Sequence, residues 1–302
     1  MKHLLQLSIQ KINLCLLLLI GVGLNANAQT ILAPGDLFFT GYNSVPANGQ
    51  DNFSFVLLKS VAVGTTITFT DRGWGITSGS GEWFLNGAQD GAIIWTATTS
   101  LNYGTEIYIV CEGNNALSAS IGSVAGAGAQ SSPTLDPGQT ANYIEFNTDG
   151  DQLFAYQNQP FYFSLLAGLE MNGGFVATPL GSTSNTNSAL PTDLGTAHTL
   201  VLTPERDNAK FNCPTALTSG TQAANYAALK SPANWISRDV TYYTLPTGCT
   251  WATAGVAHWV NNQGGVRPAT VIINGNTVAT APTTYTTIQS AINATAIGDF
   301  VY

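Results

Sequence analysis

From residue 29 onward the chain is built of short runs in which apolar and polar side chains alternate, separated by glycine, asparagine and proline. The clearest run is residues 51–74, DNFSFVLLKSVAVGTTITFTDRGW. Phe53, Phe55 and Leu57 alternate with Asn52, Ser54 and Val56. Ile67 and Phe69 alternate with Thr66, Thr68 and Thr70, and Gly64 sits in the connection. A period of two is the mark of a strand with one buried face. The stretch therefore predicts two strands that send Phe53, Phe55, Leu57, Ile67 and Phe69 into a core. The same pattern predicts strands over 31–40, broken by Pro34-Gly35, and over 92–96, 105–111, 152–156 and 161–167.

Between these runs, residues 75–81 (GITSGSG) predict a flexible loop, and 113–142 and 182–188 predict surface loops. Helical signals are few. Thr221 precedes QAANYAALK and Pro232 follows it, which predicts one short capped helix. Near the end, Asn274-Gly275 marks a hairpin turn. Thr286 and Gln289 form a capping box for a helix with Ile288, Ala291 and Ile292 on one face, closed by Gly298 and followed by a strand at 299–302. The resulting expectation is an all-β fold, an antiparallel β-sandwich with one or two short helices. Its divisions are a leader at 1–28, a sandwich module at 29–268 and a distinct tail at 269–302.

The leader has Lys2 and Lys11, an apolar run over 14–20 and Ala26-Asn27-Ala28 before Gln29, the layout of a secretory signal peptide. Its apolar run is shorter than the roughly 20 residues a bilayer span needs, so export to the surface or medium is expected, without membrane insertion after cleavage. Loss of both lysines deepens the formal charge of −8 to about −10, and there is no basic stripe, which argues against nucleic acid as a partner. A monomer is expected. In an oxidising compartment Cys213 and Cys249, each in a loop flanked by Pro or Gly, are the expected disulfide. Cys111 lies in a strand pattern and reads as a small buried hydrophobe.

Candidate chemistry is sparse. There is no G-x-S-x-G elbow and no phosphate loop, and His198 and His258 have no Cys or His at ligand spacing, so no catalytic residue and no cofactor are expected. Asn147, Asp149 and Asp151 alternate oxygen-bearing side chains as a calcium loop would, although an Asx-rich turn explains the same spacing. Asp71 and Glu82 flank the Gly/Ser loop and are a candidate carboxylate pair. Trp83 and Phe84, in a polar insertion, are the candidates for stacking on a sugar ring, against the alternative of packing under the loop.

Two resemblances add context. Residues 32–40, FSFVLLKSVAVGTTITFTDRGW, GDQLFAYQ, NTNSALP and SPANW together resemble a β-sandwich module found near the N-termini of large secreted bacterial surface proteins, over residues 31–240. That module has no established activity, and the insertion SGSGEWFLNGAQD after Trp74 departs from its pattern. The tail, YTTIQSAINATAIGDFVY, resembles the cap and first strand of a right-handed parallel β-helix of the pectin-lyase-like kind. This implies a cap stub whose coils lie beyond Tyr302. The expected function is a secreted, non-enzymatic surface module that binds extracellular polysaccharide or mediates adhesion. The alternative is the front portion of a β-helix polysaccharide lyase or hydrolase.

Overall fold

The computed structural model describes residues 29–45, 49–77, 80–83, 90–113, 116–127, 142–158, 163–176, 186–213, 221–251, 257–260, 270–273, 276–280, 283–285 and 300–301, with backbone alone in 76–77, 80–83 and from 257 onward. In chain order the strands are β1 (Leu37–Asn43), β2 (Asn52–Leu57), β3 (Thr66–Thr70), β4 (Trp74–Thr77), β5 (Ser80–Trp83), β6 (Ala92–Thr96) and β7 (Glu106–Val110). They continue with β8 (Ser118–Ala119), β9 (Ser123–Gly126), β10 (Gln152–Asn158), β11 (Phe163–Glu170), β12 (Thr199–Val201) and β13 (Asn208–Phe211). Helix α1 (Gln222–Leu229) and strand β14 (Trp235–Arg238) follow.

The fold is all-β. One six-stranded sheet has the order β14-β13-β1-β2-β7-β8 and a second the order β12-β11-β10-β3-β6-β9. Pairing in the first sheet is antiparallel throughout. In the second, every pair is antiparallel except β11–β12, which run parallel. A long connection after β11 allows this parallel pairing, which sets Thr199–Val201 beside Gly168–Glu170.

Alternation along the strands builds the interior. Phe53, Phe55, Leu57, Ile67 and Phe69 are all fully buried. Phe69 of the second sheet meets Phe55 and Phe53 of the first at ring-centroid distances of 4.8 and 5.0 Å, and Phe55 meets Trp95 edge-on at 5.5 Å. Each such side chain contributes roughly 2–3 kcal/mol through burial. One side of the sandwich is closed by the step from β8 to β9. There Gly122 has φ +85°, and a Cβ would lie 2.6 Å from the Thr96 carbonyl oxygen.

Strand β2 is buried on both faces, where its polar alternates predict one face in water. The cause is a strap, residues 239–251, laid across the outside of the first sheet. Asn43 accepts from Tyr243 N (2.7 Å) and donates to Tyr243 O (3.0 Å) and Asn52 Oδ1 (2.8 Å). Ser54 and Thr40 hydroxyls bond each other at 2.7 Å. Farther along, Glu106 accepts from Thr247 N and Gly248 N, and Cys249 is disulfide-bonded to Cys213 just past β13. Trp251 ends the strap by stacking on Phe211 at 5.5 Å. Cys111 is buried and free.

Helix α1 starts where Thr221 Oγ1 accepts from Ala224 N (3.2 Å) and is followed by a 3-10 turn at Pro232–Asn234. Its Tyr226 packs edge-on against Phe38 at 5.4 Å. One strand expectation and two loop expectations are corrected. Asp36 caps a turn with Ala33 (2.8 Å), which delays the first strand to Leu37. Residues 74–77 and 80–83 pair as the hairpin β4–β5 where a flexible loop over 75–81 was expected, because ladder pairing over four register positions outweighs their glycine content. Short strands β8 and β9 occupy part of 113–142.

Toward the C-terminus, β15 (Ala257–Val260), β16 (Thr270–Ile273), β17 (Asn276–Thr280), β18 (Thr283–Tyr285) and β19 (Phe300–Val301) follow. β16 and β17 pair antiparallel with Ile273 opposite Asn276, while β15 pairs in parallel with both β18 and β19. The predicted capping helix and the leader lie outside the described residues, and no closed β-helix coil is present among them. No helix among the described residues is long and apolar enough to cross a membrane.

Gly104 turns the chain into β7 with φ +82°, and a Cβ there would lie 2.9 Å from the Trp251 carbonyl oxygen. Gly104→Ala should therefore destabilise by about 1–3 kcal/mol through strain and overpacking, measured by urea unfolding. An unchanged midpoint would mean that the strap does not seat on this turn.

Candidate functional site

Two features, one polar and one aromatic, flank the sandwich core. The first closes the end where β2 and β10 begin and β3 and β7 finish. Segment 144–147 crosses this end, and four successive backbone N–H groups find acceptors from different elements. Ile144 N donates to Cys111 O (2.8 Å), Glu145 N to Asp71 Oδ2 (3.1 Å), Phe146 N to Asp51 Oδ2, and Asn147 N to Asp151 Oδ2 (2.9 Å). Asp51 directly precedes β2, Asp71 directly follows β3 and Asp151 directly precedes β10, so three strand ends each supply one carboxylate. Asp71 also accepts from Gly91 N (2.7 Å) and Asp151 from Gln152 N (2.7 Å), while Gln152 Nε2 donates to Asp71 O. The clamp fixes Phe146, whose ring meets Tyr42 and Phe53.

Burial governs the protonation of these acids. It pushes Asp51 up to about 8, helped by Glu112 and opposed by the Phe146 N–H. Asp71 and Asp151 are held well above the usual carboxylate range by burial first and then by neighbouring carboxylates. Asp90 is raised to about 7 by burial, against the pull of Arg72. At the end of β11, Glu170 is raised to about 8 by burial. Arg72, almost fully buried itself, is lowered by desolvation, with Asp90 and Asp71 acting in the other direction.

The second feature is an aromatic layer on the outer face of the second sheet. Phe154, Tyr156 and Leu165 pack with Trp74, Ala189 and Leu194 in a cluster separate from the main core, joined by the half-buried Phe163 and Phe175. Trp74 meets Phe163 at 6.2 Å and Tyr156 meets Phe163 at 5.9 Å. The hairpin is tied to this layer through its backbone: Trp74 N donates to Ser188 Oγ (2.9 Å) and Ala189 N to Trp74 O (2.7 Å). Within the hairpin Trp74 stands opposite Trp83 and Gly75 opposite Glu82.

The sequence-derived candidates fall as follows. Trp83 has its backbone in β5, in register with the anchored Trp74, and not in a loop. Its side chain, that of Glu82 and all of Phe84 lie outside the described residues. Asp71, the proposed partner of Glu82, is engaged by the Gly91 and Glu145 N–H groups. Asn147 Oδ1 accepts from Asp149 N (2.9 Å), an Asx turn, and both oxygens of Asp151 face N–H donors. Among the described residues no group of three or more His, Cys, Asp or Glu converges as metal ligands. His198 Nδ1 lies 2.8 Å from Tyr226 Oη, joining α1 to the approach to β12. No local sequence pattern marks Arg72, Asp90 or Ser188 as part of a site. An acid adjoining an apolar strand is the signal that could have drawn attention to Asp51.

Comparison with known protein families, with curated proteins and with solved structures gives no match.

The raised acids bind protons more tightly in the folded than in the unfolded chain. Their stabilising contribution is complete below the unfolded values near 4 and is lost as pH rises through 7 to 8. The melting temperature should fall by about 5 °C or more between pH 5 and pH 9 in scanning calorimetry. Asp51→Asn, which keeps an acceptor for Phe146 N, should flatten that slope. A melting temperature that rises over this range would contradict the assignment.

Proposed function

We propose that this chain is an exported cell-surface protein whose sandwich is a non-enzymatic module holding polysaccharide at the β4–β5 hairpin beside the second sheet. The observation that carries the reading is the β4–β5 hairpin, in which Trp83 stands opposite a Trp74 that is anchored in the buried aromatic layer with Tyr156 and the half-buried Phe163. Aromatic faces stack on the C–H faces of sugar rings, and nearby polar groups orient the hydroxyls. The signal-peptide pattern at 1–28 supports export, and the low basic content supports an uncharged or weakly charged ligand over nucleic acid. Engagement of Asp51, Asp71 and Asp151 by backbone N–H groups supports a structural role for these carboxylates in place of acid–base chemistry.

A second reading, a β-helix polysaccharide lyase or hydrolase, draws support from the parallel pairing of β15 with β18 and β19, the pairing that solenoid coils use.

Trp83→Ala should lower retention on an immobilised glycan panel by about tenfold or more while leaving the melting temperature in place. Retention equal to that of the parent protein would refute sugar binding at the hairpin. Turnover of pectin or alginate by the chain itself would refute the non-enzymatic reading.

A further inference from the structure

Among the described residues six large hydrophobic side chains are exposed, and four of them, Val45, Ile236, Val240 and Tyr242, gather where β1 and β14 end and β13 begins. Their proximity is fixed by one side chain. Asn208 accepts from Val45 N (3.4 Å) and donates to the carbonyls of Arg238 and Asp239 (both 3.3 Å), which joins the chain just past β1 to the turn that carries Val240 and Tyr242. Val240 is 89% exposed and Tyr242 45%, an arrangement that an isolated surface hydrophobe does not explain.

This corner also has a strand edge. β14 is the outermost strand of the first sheet and is paired only to β13 among the described residues. Asn212 N donates to Asn234 O, so in the alternating antiparallel ladder Ser237 turns its N–H and C=O away from β13. Outward N–H and C=O groups beside apolar side chains are what strand addition uses.

The charge around the corner selects the occupant. Glu205, Asp207 and Asp239 surround it. Burial and then the neighbouring acids raise Glu205 and Asp207 above their ordinary range, a repulsion that an incoming cation relieves. The two local arginines are already engaged. Arg206 pairs with Asp239 at 3.2 Å, and Arg238 donates to Thr241 O and Tyr242 O while covering the Tyr243 ring at 4.1 Å.

We propose that the β14 edge and its Val45–Val240–Tyr242 corner are a docking surface for an extended segment of another protein in which apolar residues alternate with lysine or arginine. The segment's backbone continues the first sheet at Ser237. Its apolar side chains cover Val240 and Tyr242, and its cations face Asp207 and Asp239.

The test uses the full chain and a synthetic peptide of alternating valine and lysine, with a valine–glutamate peptide as control, followed by calorimetry. The lysine peptide should bind. Its affinity should fall about tenfold or more as salt is raised and by a similar factor in the uncharged double variant Val240→Ser, Tyr242→Ser, which changes exposed positions only. Absence of binding at about 1 mM lysine peptide, equal binding of the two peptides, or unchanged affinity in the double variant would each overturn the proposal. So would concentration-dependent dimerisation in ultracentrifugation that the double variant abolishes, since that would assign the corner to a second copy of this chain.

Discussion

The closed end of the sandwich depends on the capture of segment 144–147 by three aspartates from three strand ends. Two sheets packed face to face leave their ends open, and a crossing segment there has N–H groups with no ladder to join. Each such group left unpaired in the interior would cost roughly 1–3 kcal/mol. Asp51, Asp71 and Asp151 remove that cost and, in the same contact, hold Phe146 against Tyr42 and Phe53. The clamp introduces a second cost, because carboxylates are poorly solvated there. Protonation of some of them is the cheapest relief, which couples closure of this end to pH.

Strand content was legible because alternation is local. Phe53, Phe55, Leu57, Ile67 and Phe69 could be assigned to the interior from sequence spacing alone, and all are fully buried. What covers the reverse face of β2 was not legible. Ser54 and Asn52 look like water-facing residues until Thr40 and Asn43 are brought beside them and Tyr243, 200 positions from Asn43, seals the pair. Hairpin β4–β5 was misjudged for a related reason. Its glycines and serines weaken local propensity, and the contacts that fix it, Trp74 to Ser188 and Ala189, come from more than a hundred residues away.

The candidate site was read less completely than the fold. Trp83 drew attention as an aromatic residue in polar surroundings, whereas Trp74, Tyr156 and Phe163 read as ordinary strand or turn residues. Only the topology puts those three on one outer face. The buried acids carried a weak local signal, since each clamp aspartate adjoins a strand end. Nothing in the spacing reveals that the three ends meet, because their partners on segment 144–147 lie 95 residues from Asp51 and 74 from Asp71. For Asp151 the partner is only 4 residues away, and there the Asx-rich turn was visible in the text of the sequence.

The strap also determines how the sandwich would carry mechanical load. The chain leaves the strap past Trp251, so a pull from the C-terminal side arrives first at Cys249 and passes through its bond to Cys213 at the end of β13. The loop between the two cysteines, which contains α1 and β14, is shielded from tension. Force instead enters β13, which is flanked on both sides by antiparallel partners. A load applied through the C-terminal segment would pass into the interior of a sheet, where several hydrogen bonds must break together before anything lengthens.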